Sequence, residues 1–511
     1  MGIIAKFFRG GPPEKATRLS ESSGKATVRA RYDAAQTTSD NRKHWQAADE
    51  LSANASNVQI IRRTLRSRSR YEAANNAYAS GIADTLANDT VGTGPSLQVR
   101  TKDKEFNGAL EDAFSQWAEG IRLATKLRLM RRTKIIDGEA FGLFVTNERP
   151  DVTVSLDIRL IECDRVTDIS ASFTESTGDG VDGIEYDAHG NPTSYSILRQ
   201  HPGGPVAGMG MVADQVPAAQ VLHYFTPTRA EQCRGIPELT PSLGLFAQLR
   251  RYTVAVLDAA ELAADFAGVI YTTSPAGGEA RPVVPMDTVE LERKMLTTLP
   301  DGWQIGQIDA KQPTTTYADF KREILNEIAR SISMPYNVAA GNSSDYNYAS
   351  GRLDFQTYFR SIKVEQANME SVLLDRILAA WIAEAVKAIP DLAAKYAAAT
   401  AAGPLPHAWF WDGTEHVDPL KEANAQAARL ANNTTTLAAE YARQGKDWEE
   451  EIQQRGVEVA LIKKLGLMPP PPVGPGGQTP PTDRTQPEDA PPGDKRPSDG
   501  QPTTDTKEAP K

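Results

Sequence analysis

The chain has 511 residues, 40 % hydrophobic and 24 % charged, with a formal net charge of −10. Its length accommodates several cores, about three by ordinary domain size. Two cysteines, Cys163 and Cys233, close one disulfide at most, which excludes a cystine-built secreted scaffold, and the acidic balance excludes a free protein that grips nucleic acid through a basic surface.

Residues 1–44 are rich in Gly, Ser, Thr and charge without an apolar period, and are expected to be disordered. In the opening MGIIAKFFRG, Lys6 stands where a myristoylation motif needs Ser or Thr, and the apolar run is too short for a signal peptide. Over 45–90 a helical pattern follows, with Tyr71, Ala74, Tyr78, Ile82 and Leu86 at spacings of three and four, until Gly92, Gly94 and Pro95 break it. A second helical stretch is predicted over 105–134 from Phe106, Leu110, Phe114, Trp117 and Ile121. The basic runs RRTLRSRSR (62–70) and RLATKLRLMRRTK (122–134) read as solvated helix faces or contacts to acidic neighbours. VTVSLDIRL (152–160) alternates as a half-buried strand, GIEYDAHGNPTSYSIL (183–198) reads as a hairpin turning at Asp187–Pro192, and VLHYF (221–225) adds a strand.

From Thr240, a candidate N-cap followed by Pro241, an Ala-rich helix runs to Ala267. Its small residues, Ala255, Ala259 and Ala263 among them, permit close approach to a neighbouring helix or a second copy, or simply reflect helix propensity. Asp258, Glu261 and Asp265 interrupt the most apolar long stretch, so no membrane span is expected. A compact insert, 268–316, holds a Gly/Pro-rich loop, a short helical pattern near 287–299 and a strand-like WQIGQI (303–308). The next helix places Phe320, Ile324, Leu325, Ile328 and Ile332 on one face and stops before Pro335. Past Gly351 neither Gly nor Pro occurs until Pro390, which predicts a helix on the order of 55 Å long with a bend at the polar Lys363–Asn368. Helices resume after Asp418–Pro419; Gly445 ends one and Asp447 caps the next. Thirteen of the 34 prolines fall in 469–511 with no aromatic residue, so 467–511 is expected to be a disordered tail.

Motifs for chemistry are sparse. The sequence holds no nucleotide-binding P-loop, no H-E-x-x-H, no paired C-x-x-C and no G-x-S-x-G. Asp137 and Glu139 in DGEAFG read as a surface acid pair at a helix-to-strand connection, TGDGVDG (177–183) as a turn, and GMGM (208–211) as a lone glycine-rich scrap. His407 and His416, flanking WFW, read as structural histidines. No catalytic residue, metal or cofactor is expected.

The order of elements, with SRYEAANNAYASGIADTLANDTVGTG (69–94), DGEAFGLF (137–144), IECDRV (161–166), HYFTPTRAEQCRGIPELTPSL (223–243), ISMPYNVAAGNSSDYNYASGRLDF (332–355), HVDPLKEANAQAARL (416–430) and EYARQGKDWEEEIQQRG (440–456), resembles the lambda-type portal proteins of tailed bacteriophages. The resemblance implies a mainly helical α+β protomer: wing 45–239, first stem helix 240–267, clip 268–316, second stem helix 317–334, tunnel loop 336–350, long kinked wing helix 351–390 and helical crown 391–466. It implies a ring, typically of twelve copies, at one capsid vertex, with double-stranded DNA passing non-specifically through it. Implied partners are the terminase large subunit at the clip, the major capsid or scaffold protein and a head–tail adaptor, in the virion and, during assembly, the host cytoplasm. In such a ring Asn342, Ser343, Ser344, Tyr346, Asn347 and Tyr348 would face the channel, where strong phosphate pairing would hinder sliding. Ala255, Ala259, Ala263, Phe320, Ile324 and Ile328 would pack the stem. The rival readings are a non-catalytic head–tail adaptor or scaffold protein, and a DNA-processing enzyme.

Overall fold

The first two helices, α1 (Gln59–Asn75) and α2 (Ala77–Val91), are parted by a single residue. Asn76 leaves the helical region at φ −121°, and its Oδ1 accepts the backbone N–H groups of Tyr78 and Ala79, so it caps α2. Residues 45–58 of the predicted helical stretch lie outside both helices. After β1 (Ser96–Val99) the helix expected over 105–134 is two: α3 (Lys104–Gly120), capped by Asp103, and α4 (Leu123–Asp137). Arg122 takes left-handed dihedrals (φ 57°, ψ 48°) at the break, a conformation that propensity does not announce for Arg. This computed structural model describes residues 43–150, 152–167, 180–204, 212–265, 269–272, 303–306, 317–344, 347–390, 392–401, 403–413 and 419–467.

Two sheets follow. β2 (Glu139–Thr146) pairs antiparallel with β3 (Leu156–Ile161), so the alternating 152–160 run becomes strand only from Leu156. β4 (Gly180–Val181), β5 (Ile184–Tyr186), β6 (Pro192–Leu198) and β7 (Ala213–Pro217) form a four-stranded antiparallel meander in that order. The predicted hairpin joins β5 to β6: Asp187 Oδ1 accepts the N–H groups of His189 and Asn191, and Gly190 supplies φ +82°. β8 (Val221–Phe225) returns to the free edge of β2, giving the order β3-β2-β8.

Thr240 and Pro241 sit in a 3-10 turn, and α5 (Leu243–Asp265) begins behind it. β9 (Val269–Thr272) and β10 (Trp303–Gly306) form an antiparallel pair, the strand expected from WQIGQI; the helical pattern near 287–299 lies outside the described residues, as do GMGM, His416 and the proline tail. α6 (Tyr317–Ser331) is followed by a correction to the loop expected over 336–350. Residues Tyr336–Ala340 form a short helix, α7, held down by buried Asn337 and Ala339, and α8 (Tyr348–Met369) starts three residues before Gly351. The loop is therefore 341–347.

α8 runs through a π-helical turn, Glu370–Leu374, into α9 (Asp375–Ala388). The irregularity in the long helix thus lies just past the polar Lys363–Asn368 segment. α10 (Leu392–Thr400), β11 (His407–Phe410), α11 (Pro419–Ala431), α12 (Leu437–Arg443) and α13 (Trp448–Lys464) complete the order. Gly445 (φ +73°) and the Asp447 cap separate the last two helices as predicted. The expectation of a purely helical 391–466 is corrected: β11 pairs antiparallel with β1, Ser96 opposite Phe410 and Val99 opposite His407.

Burial explains the pairing. One core gathers α3, α4, α9, β1 and β11 around Phe114, Trp117, Trp381 and Trp409, with Phe114 centroids 5.3–5.6 Å from the three indoles. A second joins α2, α5, α6, α7 and α8 through Ile82, Phe246, Leu325, Ile328 and Tyr358. A third lies between the two sheets, around Phe141, Ile184, Tyr195 and Ile197.

Candidate channel loop and buried charge cluster

In the loop 341–347, Gly341 adopts φ +62° and closes α7. Asn342, Ser343 and Ser344 are exposed. Asn342 Oδ1 accepts both the backbone N–H of Ser344 (3.0 Å) and its hydroxyl (2.6 Å). Asn347 Oδ1 accepts the Ser350 N–H at 2.9 Å and caps α8. The two asparagines are thus engaged in local turns, and Ser343 is left facing solvent. Tyr346 lies outside the described residues; Tyr348 opens α8 rather than belonging to the loop.

The residues expected to pack a stem divide. Ile328 is fully buried and Ile324 half-buried in the second core, as the apolar face requires. Phe320 is 49 % exposed and meets Tyr252 of α5 at a ring separation of 4.8 Å. Ala255 is exposed and Ala259 half-buried, while Ala263 lies in the final turns of α5. The α5–α6 seam is made instead by Tyr252 against Tyr317 and Phe320, with the Tyr317 hydroxyl donating to Thr253 at 3.3 Å.

The densest polar arrangement is elsewhere, and it overturns the reading of Asp137 and Glu139 as a surface pair. Glu139 is fully buried and Asp137 nearly so. Arg234 grips Glu139 from Nη2 and Nε at 2.7–3.1 Å, and the Gly235 N–H donates to its Oε2 at 3.1 Å. α1 contributes arginines at every fourth position, so they share one face. Arg62 meets Asp182; Arg66 reaches Glu139 (3.1 Å) and Asp164 (2.9 Å); Arg70 holds both Asp137 oxygens at 2.7 Å and Asp164. The basic run is thus largely a set of contacts to acidic neighbours, while Arg63 and Arg68 face solvent.

Backbone geometry makes the cluster possible. Gly138 has φ +92°, and a Cβ there would lie 2.6 Å from Pro237 N; a Cβ on Gly235 would lie 2.8 Å from the Glu139 Cβ. Two glycines therefore let α4–β2 and the Arg234 segment pass in backbone contact. Burial alone would raise the Glu139 carboxyl, but Arg234 and then the His223 hydrogen bond hold it well below the usual range. Burial pushes the His223 imidazole down against the opposing pull of Glu139. The neutral ring then donates from Nε2 to Glu139 (3.1 Å) while Nδ1 accepts the Tyr195 hydroxyl (3.4 Å).

A second network ties α4 to α8. Lys134, buried, binds Glu365 and lies 3.5 Å from Glu238, which Arg131 also holds at 2.8 and 3.1 Å; Tyr224 donates to Glu365. Chemically both networks join elements rather than activate a nucleophile, because their carboxylates are engaged by cations. Glu162, Asp164 and His201 bring possible metal-ligating atoms within 4.8 Å of one another, but Asp164 already binds Arg66 and Arg70, so a cation would compete with two guanidinium groups.

The stretches that meet in this cluster, around Arg70, Glu139, Asp164 and Arg234, all lie within the match to a known family. The profile described as phage portal protein, lambda family, matches residues 38–366, well over half of the chain. The chain belongs to the lambda family of phage portal proteins. A probable portal protein of Halomonas phage phiHAP-1 is 25 % identical over 438 residues, covering 80 % of this chain and 82 % of the relative. A chain in the neck of the native gene transfer agent (GTA) particle shares 16 % identity at a TM-score of 0.42, covering 67 % of this chain and 90 % of its own. A chain in the virion of the native GTA particle shares 15 % at 0.41, covering 75 % and 93 %. Portal proteins are structural components of the virion, and no helix among the described residues is long and apolar enough to cross a membrane.

Proposed function

We propose that this portal-family chain assembles into a ring, of twelve copies by family precedent, at one capsid vertex, and that double-stranded DNA enters and leaves through its centre. The loop 341–347 carries the channel assignment. Its described residues, 341–344 and 347, are exposed; it joins a short packed helix to the long α8, its sequence has Asp345 as the sole charge, and its asparagine oxygens are engaged in its own turns. Such a surface offers phosphate no strong partner, so a duplex slides past it, and an acidic wall keeps the duplex off further surfaces. The β9–β10 segment belongs to the clip, where the terminase large subunit docks; the major capsid or scaffold protein and a head–tail adaptor are the other partners. The chain itself hydrolyses neither nucleotide nor DNA.

Negative-stain microscopy of the purified chain, across protein concentration and salt, tests the assembly. Rings with a central hole are expected; their absence under every condition would leave the adaptor or scaffold reading.

A further inference from the structure

Two exposed helix faces match each other in charge and in apolar content. On α6, Asp319, Glu323 and Glu327 recur every fourth residue on the solvent side, flanked by half-exposed Phe320; Arg330 ends the row. On α8, Arg352, Arg360 and Lys363 occupy one exposed arc, flanked by Leu353 and Val364, each 67 % exposed. None of these three acids or three cations has an ion pair or side-chain hydrogen bond among the described residues. The buried cations Arg66, Arg131, Lys134 and Arg234, by contrast, are each matched by a carboxylate. The acidic row spans about 12 Å and the basic row about 16 Å along their helices.

We propose that the α6 row of one copy docks on the α8 row of the next, Asp319, Glu323 and Glu327 facing Arg352, Arg360 and Lys363, with Phe320 packing against Val364. The inference deepens the ring reading and rests on it. Both faces lie on the same chain but remain unpaired among the described residues, so each is free to take a partner on another copy. Pairing two different faces is a heterologous contact, which propagates head to tail and closes into a ring when the rotation permits. Opposed charge fixes the register and rejects the reversed pairing, and the apolar flank supplies burial. Binding of DNA to the α8 cations would leave the α6 acids and Phe320 without a partner.

The test uses the full chain with reversed charges: Glu323→Lys/Glu327→Lys on α6, Arg352→Glu/Arg360→Glu on α8, and all four together. Circular dichroism and thermal melts first establish that each variant folds. Each double variant is expected to lose rings, its self-association weakening by about tenfold or more. The four-fold variant restores them, and mixing the two double variants yields rings of alternating copies, read by native mass spectrometry. Rings from both double variants, or no recovery in the four-fold variant and the mixture, would overturn this pairing while unaltered wild-type rings left the broader function standing. Intact rings with lost DNA retention in Arg352→Glu/Arg360→Glu would assign α8 to DNA instead. Absence of rings in the wild type would remove both.

Discussion

Glu139 shows how a short acidic motif becomes a structural anchor. Its carboxylate takes Arg234, Arg66, His223 and the Gly235 N–H, so removing its charge leaves two guanidinium groups buried beside a neutral amide. Glu139→Gln is expected to destabilise the fold by about 3–5 kcal/mol, read as a lower urea midpoint at an unchanged slope. Acid acts in the same direction. His223 and Glu139 both bind their protons at lower pH folded than unfolded. The unfolded chain therefore takes up protons first, and stability falls from about pH 6.5, then more steeply below about pH 4.3. Urea midpoints at pH 7, 5 and 4 check this; a flat profile would contradict it, and Glu139→Gln should flatten the lower part. The arginine spacing on α1 was legible in the sequence. That Asp137 and Glu139 lie inside was not, because burial there depends on Gly138 and Gly235 approaching across nearly a hundred residues of chain.

Among the elements, apolar period identified α2, α3 and α6, the lack of Gly and Pro identified α8 and α9, and turn residues and strand-like composition identified the β5–β6 hairpin, β8 and β10. It failed where one residue changes direction: Asn76 and Arg122 each split a helical pattern because a cap or a left-handed backbone outweighs propensity. It also merged α7 into the loop, since YNVAA becomes helical by packing Asn337 and Ala339 inward. The loop and the α6 core face now predict opposite outcomes. Replacing Asn342, Ser343 and Ser344 with Lys leaves rings assembled, since these side chains are exposed, but makes DNA retention strongly salt-dependent and slows packaging. Electron microscopy alongside DNA packaged per procapsid reads both; lost rings with normal packaging in the survivors would make the loop an assembly element. Ile328→Asp places an unpaired charge in the second core, at a cost of several kcal/mol, so soluble folded chain disappears before any DNA is added.

Across the whole molecule the pairing of β1 with β11 decides which distant segments share the first core. A segment expected to belong to a separate helical crown instead completes the first core, through Trp409 against Phe114 and its indole N–H on Asp375. Trp409→Ala should therefore cost about 3–5 kcal/mol, comparable to a central core residue, and unfold the α3–α9 packing in hydrogen exchange. Protection unchanged at Phe106–Trp117 in that variant would show that β11 is an accessory strand. No local pattern foretold this pairing, because four residues of HAWF carry no mark of a partner so far away in sequence. The same distance sets a timetable for synthesis. Thr93 and Asp412, which hydrogen-bond beside the pair, are 319 residues apart, an interval a ribosome covers in roughly 15–60 s at 5–20 residues per second. For all of that time the nascent chain carries an unpaired strand edge and an open aromatic core, long enough for several unfinished chains on one message to meet. Holding those edges apart until β11 emerges is a task for the host's chaperones, so the yield of this protein should depend on translation speed and chaperone supply more than on its final stability.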